Sequence, residues 1–145
     1  MEKIQELQQR LSGHSPQYID MALKTDMCCQ IENADGYGKR TGECGDTVEM
    51  FITVSKNDII DKIRFIIEGC LNTNACANTL VYLVQGKRIN EAWNISPDHI
   101  TDYLQTLPKH ETHCAELACG AFYLALKNAQ DHQLNPWKKN YCQKT

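Results

Sequence analysis

The hydrophobic residues of this chain change their spacing once, at Gly69-Cys70. Before this point, apolar and polar residues alternate over Thr47–Val54 and again over Lys62–Glu68, which is typical of half-buried strands. Turn-forming residues at 55–58 separate the two runs, so we expect them to pair as an antiparallel hairpin. From Leu71 to Gly86 the apolar residues follow the spacing of a helix, with the glycine as its stop. A strand pair that leads directly into a helix indicates an α+β fold.

Serine-proline pairs mark the start of two more helices. In Ser15-Pro16 and in Ser96-Pro97 the serine can cap a helix and the proline can occupy its first position. Thr112 is expected to cap the last helix, which places His113 and Cys114 in its first turn. The C-terminal half is therefore predicted to be mainly helical.

The remaining segments are predicted from shorter patterns. The apolar spacing before Gly13 predicts an N-terminal helix, and Met27–Ile31 is expected to be the third strand. Asn33–Asp46 is dense in glycine and turn formers, so we expect a long exposed loop. Residues 1–130 are predicted to form one domain. Residues 131–145, which lack clear periodicity, are expected to be a loosely ordered tail.

Composition excludes several classes of function. The 145 residues are 42% hydrophobic and 23% charged, close to globular averages, so a packed core is expected. A net charge of −3 provides no broad positive field, and nucleic acid is not an expected partner. No stretch approaches the roughly 20 apolar residues that cross a bilayer, so no membrane association is expected.

Cysteine is unusually frequent, with eight residues. The N-terminal sequence has no apolar signal core, so we expect a reducing cytoplasm, where grouped thiols more often bind metal or do redox chemistry. Cys44 lies in a glycine-rich segment beside Asp46, Cys70 lies where a strand hands over to a helix, and Cys114 lies at a helix start. The partial positive charge of a helix N-terminus is expected to lower the pKa of such thiols.

Together, Cys44, Asp46, Cys70 and Cys114 make a four-ligand set, and His113 offers a further nitrogen. Thiolates select zinc, copper(I) or iron–sulfur clusters over calcium or magnesium. The ligands are dispersed along the chain, so the site can exist only after folding. A carboxylate binds cluster iron less firmly than a thiolate does, so Asp46 is expected to favour release of what the site holds.

Several motifs in order resemble the iron–sulfur cluster assembly scaffold family of the IscU and NifU N-terminal type. They are Gly42-Glu43-Cys44-Gly45-Asp46, Gly69-Cys70, Gly86-Lys87, Leu107-Pro108 and His113-Cys114 with Leu117-Ala118. The resemblance implies a SufE/NifU-like α+β fold, in which a small three-stranded antiparallel sheet carries helices on one face.

The resemblance also implies a function. A [2Fe-2S] cluster would be built from iron and from sulfur supplied by a cysteine desulfurase, and then passed to recipient apo-proteins. Cys44, Cys70 and Cys114 would be cluster ligands and Asp46 the oxygen ligand. His113 would be an alternate ligand, and Cys114 is the preferred persulfide acceptor.

Some residues depart from the family pattern. The stretch that an Hsp70-type chaperone reads in the family keeps only Leu107-Pro108, which does not favour chaperone docking. Glu111 stands near the position where the family usually has a lysine, which changes the charge beside the cluster. A small-residue run after Cys70 is replaced by the bulkier, amide-rich 71–78.

Two other functions stay open at this point. The same ligands satisfy tetrahedral zinc, so a zinc-dependent sulfur acceptor and a protein held together by structural zinc are alternatives. Nucleophilic catalysis needs one reactive thiol and a base rather than four converging groups, so the chain is not expected to be an enzyme. Whether it is a monomer or a homodimer is not predicted. Five cysteines are assigned no function, with core packing expected for Cys76 and Cys119; the others are Cys28, Cys29 and Cys142. His132 is predicted to be on the surface.

Overall fold

The computed structural model describes residues 13–42 and 45–135. Within these ranges the chain forms short helices, a sheet and one long final helix. In chain order the elements are α1 (Pro16–Leu23), β1 (Gly36–Thr41), β2 (Thr47–Val54), β3 (Ile60–Glu68), α2 (Leu71–Val84), α3 (Ile89–Ala92), α4 (Pro97–Leu104), a 3-10 turn (Lys109–Glu111) and α5 (Thr112–Leu134). No helix in the described ranges is both long enough and apolar enough to cross a membrane.

The three strands form an antiparallel sheet in the order β1-β2-β3. In the predicted hairpin, Ile52 pairs with Ile63 and Thr47 with Glu68. Alternate side chains of β2 are fully buried, as its sequence pattern predicts. Helix α5 packs against β1 and β2, and α2 packs between α1 and α5. The predicted α+β fold is confirmed, and so is the hairpin.

The third strand is not where it was predicted. Met27–Ile31 is irregular, and the carbonyl of Met27 accepts a hydrogen bond from the amide of Phe65 in β3 at 3.1 Å. The strand is Gly36–Thr41, inside the segment expected to be an exposed loop. Both predictions were therefore wrong.

The glycines of β1 allow it to lie against α5. A Cβ atom on Gly36 would lie 2.3 Å from the carbonyl oxygen of Ala125, and one on Gly38 would lie 2.2 Å from that of Ala121. Only a residue without a side chain fits at this distance. The glycines that indicated a loop are instead required by contact with a helix from the other end of the chain.

The amide-rich run after Cys70 docks α1. Asn74 donates to the carbonyls of Ala22 at 2.8 Å and Lys24 at 3.1 Å, and Asn78 donates to those of Met21 at 2.8 Å and Lys24 at 3.0 Å. The last carbonyls of a helix have no partners within it, so these two side chains satisfy the C-terminal end of α1. This amide-rich run therefore serves packing.

The final helix extends beyond the predicted domain boundary. It continues to Leu134, so residues 131–134 of the predicted tail are helical. His132 is buried, with its Nδ1 2.9 Å from the carbonyl oxygen of Asp35, and the prediction of a surface histidine was wrong. Residues 136–145 and the predicted N-terminal helix before Gly13 lie outside the described residues, and the boundary at residue 130 stays a prediction.

Candidate functional site

Three chain segments meet at one end of the sheet, where β2 begins and β3 ends. Because Thr47 pairs with Glu68, Asp46, immediately before β2, and Cys70, after the end of β3, lie at the same end of the sheet. Asp46 is tied back to the end of β1 by a hydrogen bond from the amide of Gly42 to its carbonyl at 2.8 Å. The first turn of α5 brings Cys114 to the same place.

The donor atoms of Asp46, Cys70 and Cys114 all lie within 4.8 Å of one another. The Sγ of Cys70 is 3.9 Å from the Oδ2 of Asp46. Cys70 is exposed and Cys114 is buried, so the group has one side toward solvent and one toward the core. Cys44, the remaining predicted ligand, lies outside the described residues, and its role stays a prediction.

Thr73 connects these three residues and was not predicted from the sequence. This threonine is fully buried, and its hydroxyl donates to Asp46 Oδ2 at 2.8 Å. The hydroxyl oxygen of Thr73 is also 3.5 Å from the sulfur atoms of both Cys70 and Cys114. Its place three residues after Cys70 on a helix start was the available signal, since residues three apart share a helical face.

Gly69 leaves room for this arrangement. A Cβ atom there would lie 2.9 Å from Asp46 Oδ2 and 3.2 Å from Thr73 Oγ1. A side chain at position 69 would therefore force the Asp46 carboxylate to shift. The glycine before Cys70 therefore has a packing role within the site.

A second group of donors shares Cys114. Its sulfur is 3.6 Å from Oε2 of Glu111 and 3.7 Å from Nε2 of His113, and the His113 nitrogen is 3.6 Å from that carboxylate oxygen. The side chains of Glu111 and His113 are 25% and 42% exposed. His113 thus lies where the sequence predicted it, beside Cys114. The sequence analysis had noted Glu111 only as a change of charge.

Burial decides the protonation of Cys114. It raises the pKa of this thiol from 9.0 to about 12, the hydrogen bond from Thr73 acts in the opposite direction, and Cys70 and Glu111 raise it further. A helix N-terminus lowers a thiol pKa only when its dipole outweighs desolvation. The expectation that the helix N-terminus lowers the pKa of Cys114 was therefore wrong.

The other described cysteines belong to neither donor group. Cys76 and Cys119 are buried within the hydrophobic core, as predicted, and burial raises the pKa of both thiols. Cys28 and Cys29 are exposed and lie in the turn segment before β1. Cys142 lies outside the described residues.

Comparison with known proteins identifies similar sequences along most of the chain. The family model described as NifU-like N terminal domain matches residues 15–135. Two iron-sulfur cluster assembly scaffold proteins IscU of Archaeoglobus fulgidus are each 37% identical over 98 residues, which are 67% of this chain and 63% of theirs. The nitrogen fixation protein NifU of a Nostoc species is 33% identical over 104 residues, which are 67% of this chain and 35% of that protein. The chain therefore matches less than two thirds of the length of these relatives.

Solved structures share the fold. A putative iron-sulfur cluster assembly scaffold protein for the SUF system from Fervidobacterium islandicum superposes with a TM-score of 0.66 at 19% identity, covering 80% of this chain and 98% of that one. A NifU-like N-terminal protein from Brucella abortus gives 0.66 at 12% identity, covering 81% and 94%. At these identities the likeness concerns the arrangement of sheet and helices.

Proposed function

Because this chain belongs to the NifU-like N-terminal domain family, we propose that it is a scaffold on which an iron–sulfur cluster is assembled and from which the cluster is passed to apo-proteins. The cluster is proposed to be [2Fe-2S], and the sulfur is proposed to come from a cysteine desulfurase. The cluster is cargo on such a protein, and the chain itself acts as a binding surface rather than a catalyst.

The observation that carries the proposal is the convergence of Asp46, Cys70 and Cys114. They come from three separate segments, yet their donor atoms lie within 4.8 Å of one another. Two sulfur donors and one carboxylate suit iron of a cluster better than they suit calcium or magnesium. We assign Cys44, Cys70 and Cys114 as thiolate ligands, Asp46 as the oxygen ligand and His113 as an alternate ligand.

Asp46 is proposed to make the cluster transferable. A carboxylate oxygen is a harder donor than a thiolate, so its bond to cluster iron is the easiest to exchange. Thr73 donates a hydrogen bond to this carboxylate, so Asp46 keeps a hydrogen-bond donor when its bond to metal is broken. A site with four thiolates would hold its cargo more firmly.

Cys114 is proposed to accept sulfur as a persulfide. Its sulfur would attack the outer sulfur of a desulfurase persulfide, so that a new S–S bond forms on Cys114 and the desulfurase recovers its thiolate. Cys114 is fully buried, whereas Cys70 is exposed. Acceptance at Cys114 therefore requires the first turn of α5 to open when the desulfurase binds. Mass spectrometric mapping of the persulfide tests this role, and modification of Cys70 alone would contradict it.

Anaerobic reconstitution tests the scaffold function. The full chain is incubated with ferrous iron, cysteine and a cysteine desulfurase, and visible absorption and transfer to an apo-ferredoxin are followed. We expect a [2Fe-2S] spectrum that Cys114→Ser abolishes. Cys119→Ser is the matched control, since it makes the same change in the same helix but away from the donors. Absence of a chromophore, with retained zinc and stimulation of the desulfurase, would instead support a zinc-dependent sulfur acceptor.

A further inference from the structure

We propose that Glu111, His113 and Cys114 form a second position for a divalent metal ion, beside the Asp46–Cys70–Cys114 group and sharing its Cys114 sulfur. The inference rests on the proposed function only for the identity of the metal, which would be ferrous iron on a cluster scaffold. A [2Fe-2S] cluster contains two irons, so a second position lets both ions be held before sulfide joins them.

The spacing of the three donors fits a metal ion. Their separations are 3.6 Å from Cys114 Sγ to Glu111 Oε2, 3.7 Å from Cys114 Sγ to His113 Nε2 and 3.6 Å from His113 Nε2 to Glu111 Oε2. In a tetrahedral site with bonds of about 2.0–2.3 Å, neighbouring donor atoms are about 3.3–3.8 Å apart. The three atoms therefore form one face of such a tetrahedron, with the fourth position open to another ligand.

The hydrogen bond of His113 orients the ring for metal binding. Its Nδ1 lies 3.2 Å from the carbonyl oxygen of His110. A carbonyl oxygen only accepts, so Nδ1 carries a proton, and Nε2, on the side of Glu111 and Cys114, is the ring nitrogen that can bind a metal ion. Metal-binding histidines are commonly held in this way, with the second ring nitrogen donating to a carbonyl or carboxylate.

The two donor groups differ in what lies between their atoms. Within the Asp46 group, the Thr73 hydroxyl is 2.8 Å from the carboxylate and 3.5 Å from each sulfur. Within the Glu111 group, the three donor atoms face one another directly, and two of the three residues are partly exposed.

The charges of the two groups balance two divalent ions. Asp46 and Glu111 are anionic, and Cys70 and Cys114 become thiolates when metal displaces their protons to solvent. The described donors then place four negative charges around two dipositive ions, and the Cys44 thiolate assigned above would add a fifth. A lysine at position 111 would put a positive charge beside this site, so the glutamate is what makes the second position neutral.

Cobalt(II) is the probe for this position, because its absorption bands report both stoichiometry and ligand type. The full chain is reduced, kept anaerobic and titrated with Co²⁺. We expect the wild type to bind two equivalents. Glu111→Gln keeps the shape of the side chain but removes its charge, and it should weaken one of the two by at least about 10-fold. Glu116→Gln, the same change at an exposed position of α5, should bind as the wild type does.

Asp46→Asn is the reciprocal variant. It should weaken binding of the Co²⁺ ion at the Asp46 group and leave binding of the Glu111-dependent Co²⁺ ion unchanged. Nitrogen-15 NMR of the wild type gives a readout that needs no variant. His113 should have its proton on Nδ1 before metal is added, and its Nε2 resonance should shift when Zn²⁺ fills the second position.

One equivalent of Co²⁺ in the wild type, wild-type binding by Glu111→Gln or an unmoved His113 Nε2 resonance would overturn the inference. A chain that binds two ions but builds no cluster would refute the scaffold function and leave the second position standing. A chain that builds a cluster while Glu111→Gln binds two ions normally would refute the second position alone.

Discussion

Two regions of the molecule share the long helix α5 but are built differently. One is the interface between β1 and α5, and the other is the end of the sheet that carries the donor residues. At Gly38 a single added Cβ would meet backbone atoms of α5 at 2.2 and 2.5 Å. At Asp46, by contrast, the contacts are a hydrogen bond of 2.8 Å to Thr73 and sulfur contacts of 3.5–3.9 Å around it. The first region is held by close packing, and the second by polar groups that can exchange partners.

This difference separates stability from cargo handling. A close-packed backbone contact cannot relax around an added atom, so changes there act on the whole fold. Hydrogen-bonded donors can give up one partner for another, so changes there should act on metal binding while the fold persists. Four experiments test this separation, in order of decreasing effect.

The largest effect is expected from Gly38→Ala. The new methyl group collides with the carbonyl oxygen of Ala121, and the variant should lose about 3 kcal/mol or more of unfolding free energy, measured by urea denaturation. Gly13→Ala is the control, because a Cβ atom there has nothing within 4 Å. Equal urea midpoints for Gly38→Ala and the wild type would contradict the packing account of β1.

The next effect is a loss of stability at high pH. Burial raises the folded-state pKa of Cys114 and Cys119 from 9.0 to about 12. Above pH 9 the unfolded chain loses these protons while the folded protein keeps them, so stability is full below pH 9 and falls as pH rises toward 12. The slope should approach about 1.4 kcal/mol per pH unit for each thiol. Cys119→Ala should show a shallower slope in urea titrations from pH 8 to 10.5. A slope equal to that of the wild type would show that this thiol does not contribute.

A change in cargo release without unfolding is expected from Asp46→Ala. Removing the proposed oxygen ligand should lengthen the lifetime of a bound cluster and slow its transfer by about 10-fold, measured with an apo-ferredoxin acceptor. Its urea midpoint should stay close to that of the wild type. Asp61→Ala removes an exposed carboxylate from β3 and should leave transfer unchanged. Unchanged transfer by Asp46→Ala would count against its proposed role.

The smallest effect is expected from Thr73→Val. The substitution keeps the shape of the side chain but removes the hydrogen bond to Asp46, which should cost about 1 kcal/mol of stability. Thr79→Val is matched to it, since Thr79 is also buried in α2 but donates to the helix carbonyl of Ala75. Thr73→Val should also change the Co²⁺ affinity of the Asp46 group, and Thr79→Val should not. Identical cobalt titrations for the two variants would remove Thr73 from the site.

Much of the fold could be predicted because its signals are local. The alternation over β2 and β3 and the helical spacing of α2 each depend on residues close together in the chain. Strand β1 could not be predicted in this way. Its glycines have the composition of a loop, and only the approach of α5 to Gly36 and Gly38 makes them strand residues.

The residues of the site also differ in whether local sequence predicts them. Asp46, Cys70, His113 and Cys114 were predicted as donors from residue type and neighbours, and the structure brings their segments together. Thr73 and the raised pKa of Cys114 were not predicted, because both depend on burial by distant segments. The local sign of Thr73 is its position three residues after Cys70, and that position alone does not distinguish a hydrogen-bond donor in a site from an ordinary packing residue.

The contact between Gly36 and Ala125 also bears on how the protein forms on the ribosome. Strand β1 ends at Thr41 and helix α5 begins at Thr112, about half of the chain later, so the face of β1 and β2 that α5 covers stays exposed until α5 has been synthesised. Translation at about 5–20 residues per second makes this interval several seconds long. During that time Asp46 and Cys70 already exist while Cys114 is still being made. Premature capture of metal by the nascent chain is therefore limited to an incomplete donor set, and the full set becomes available only as folding is completed.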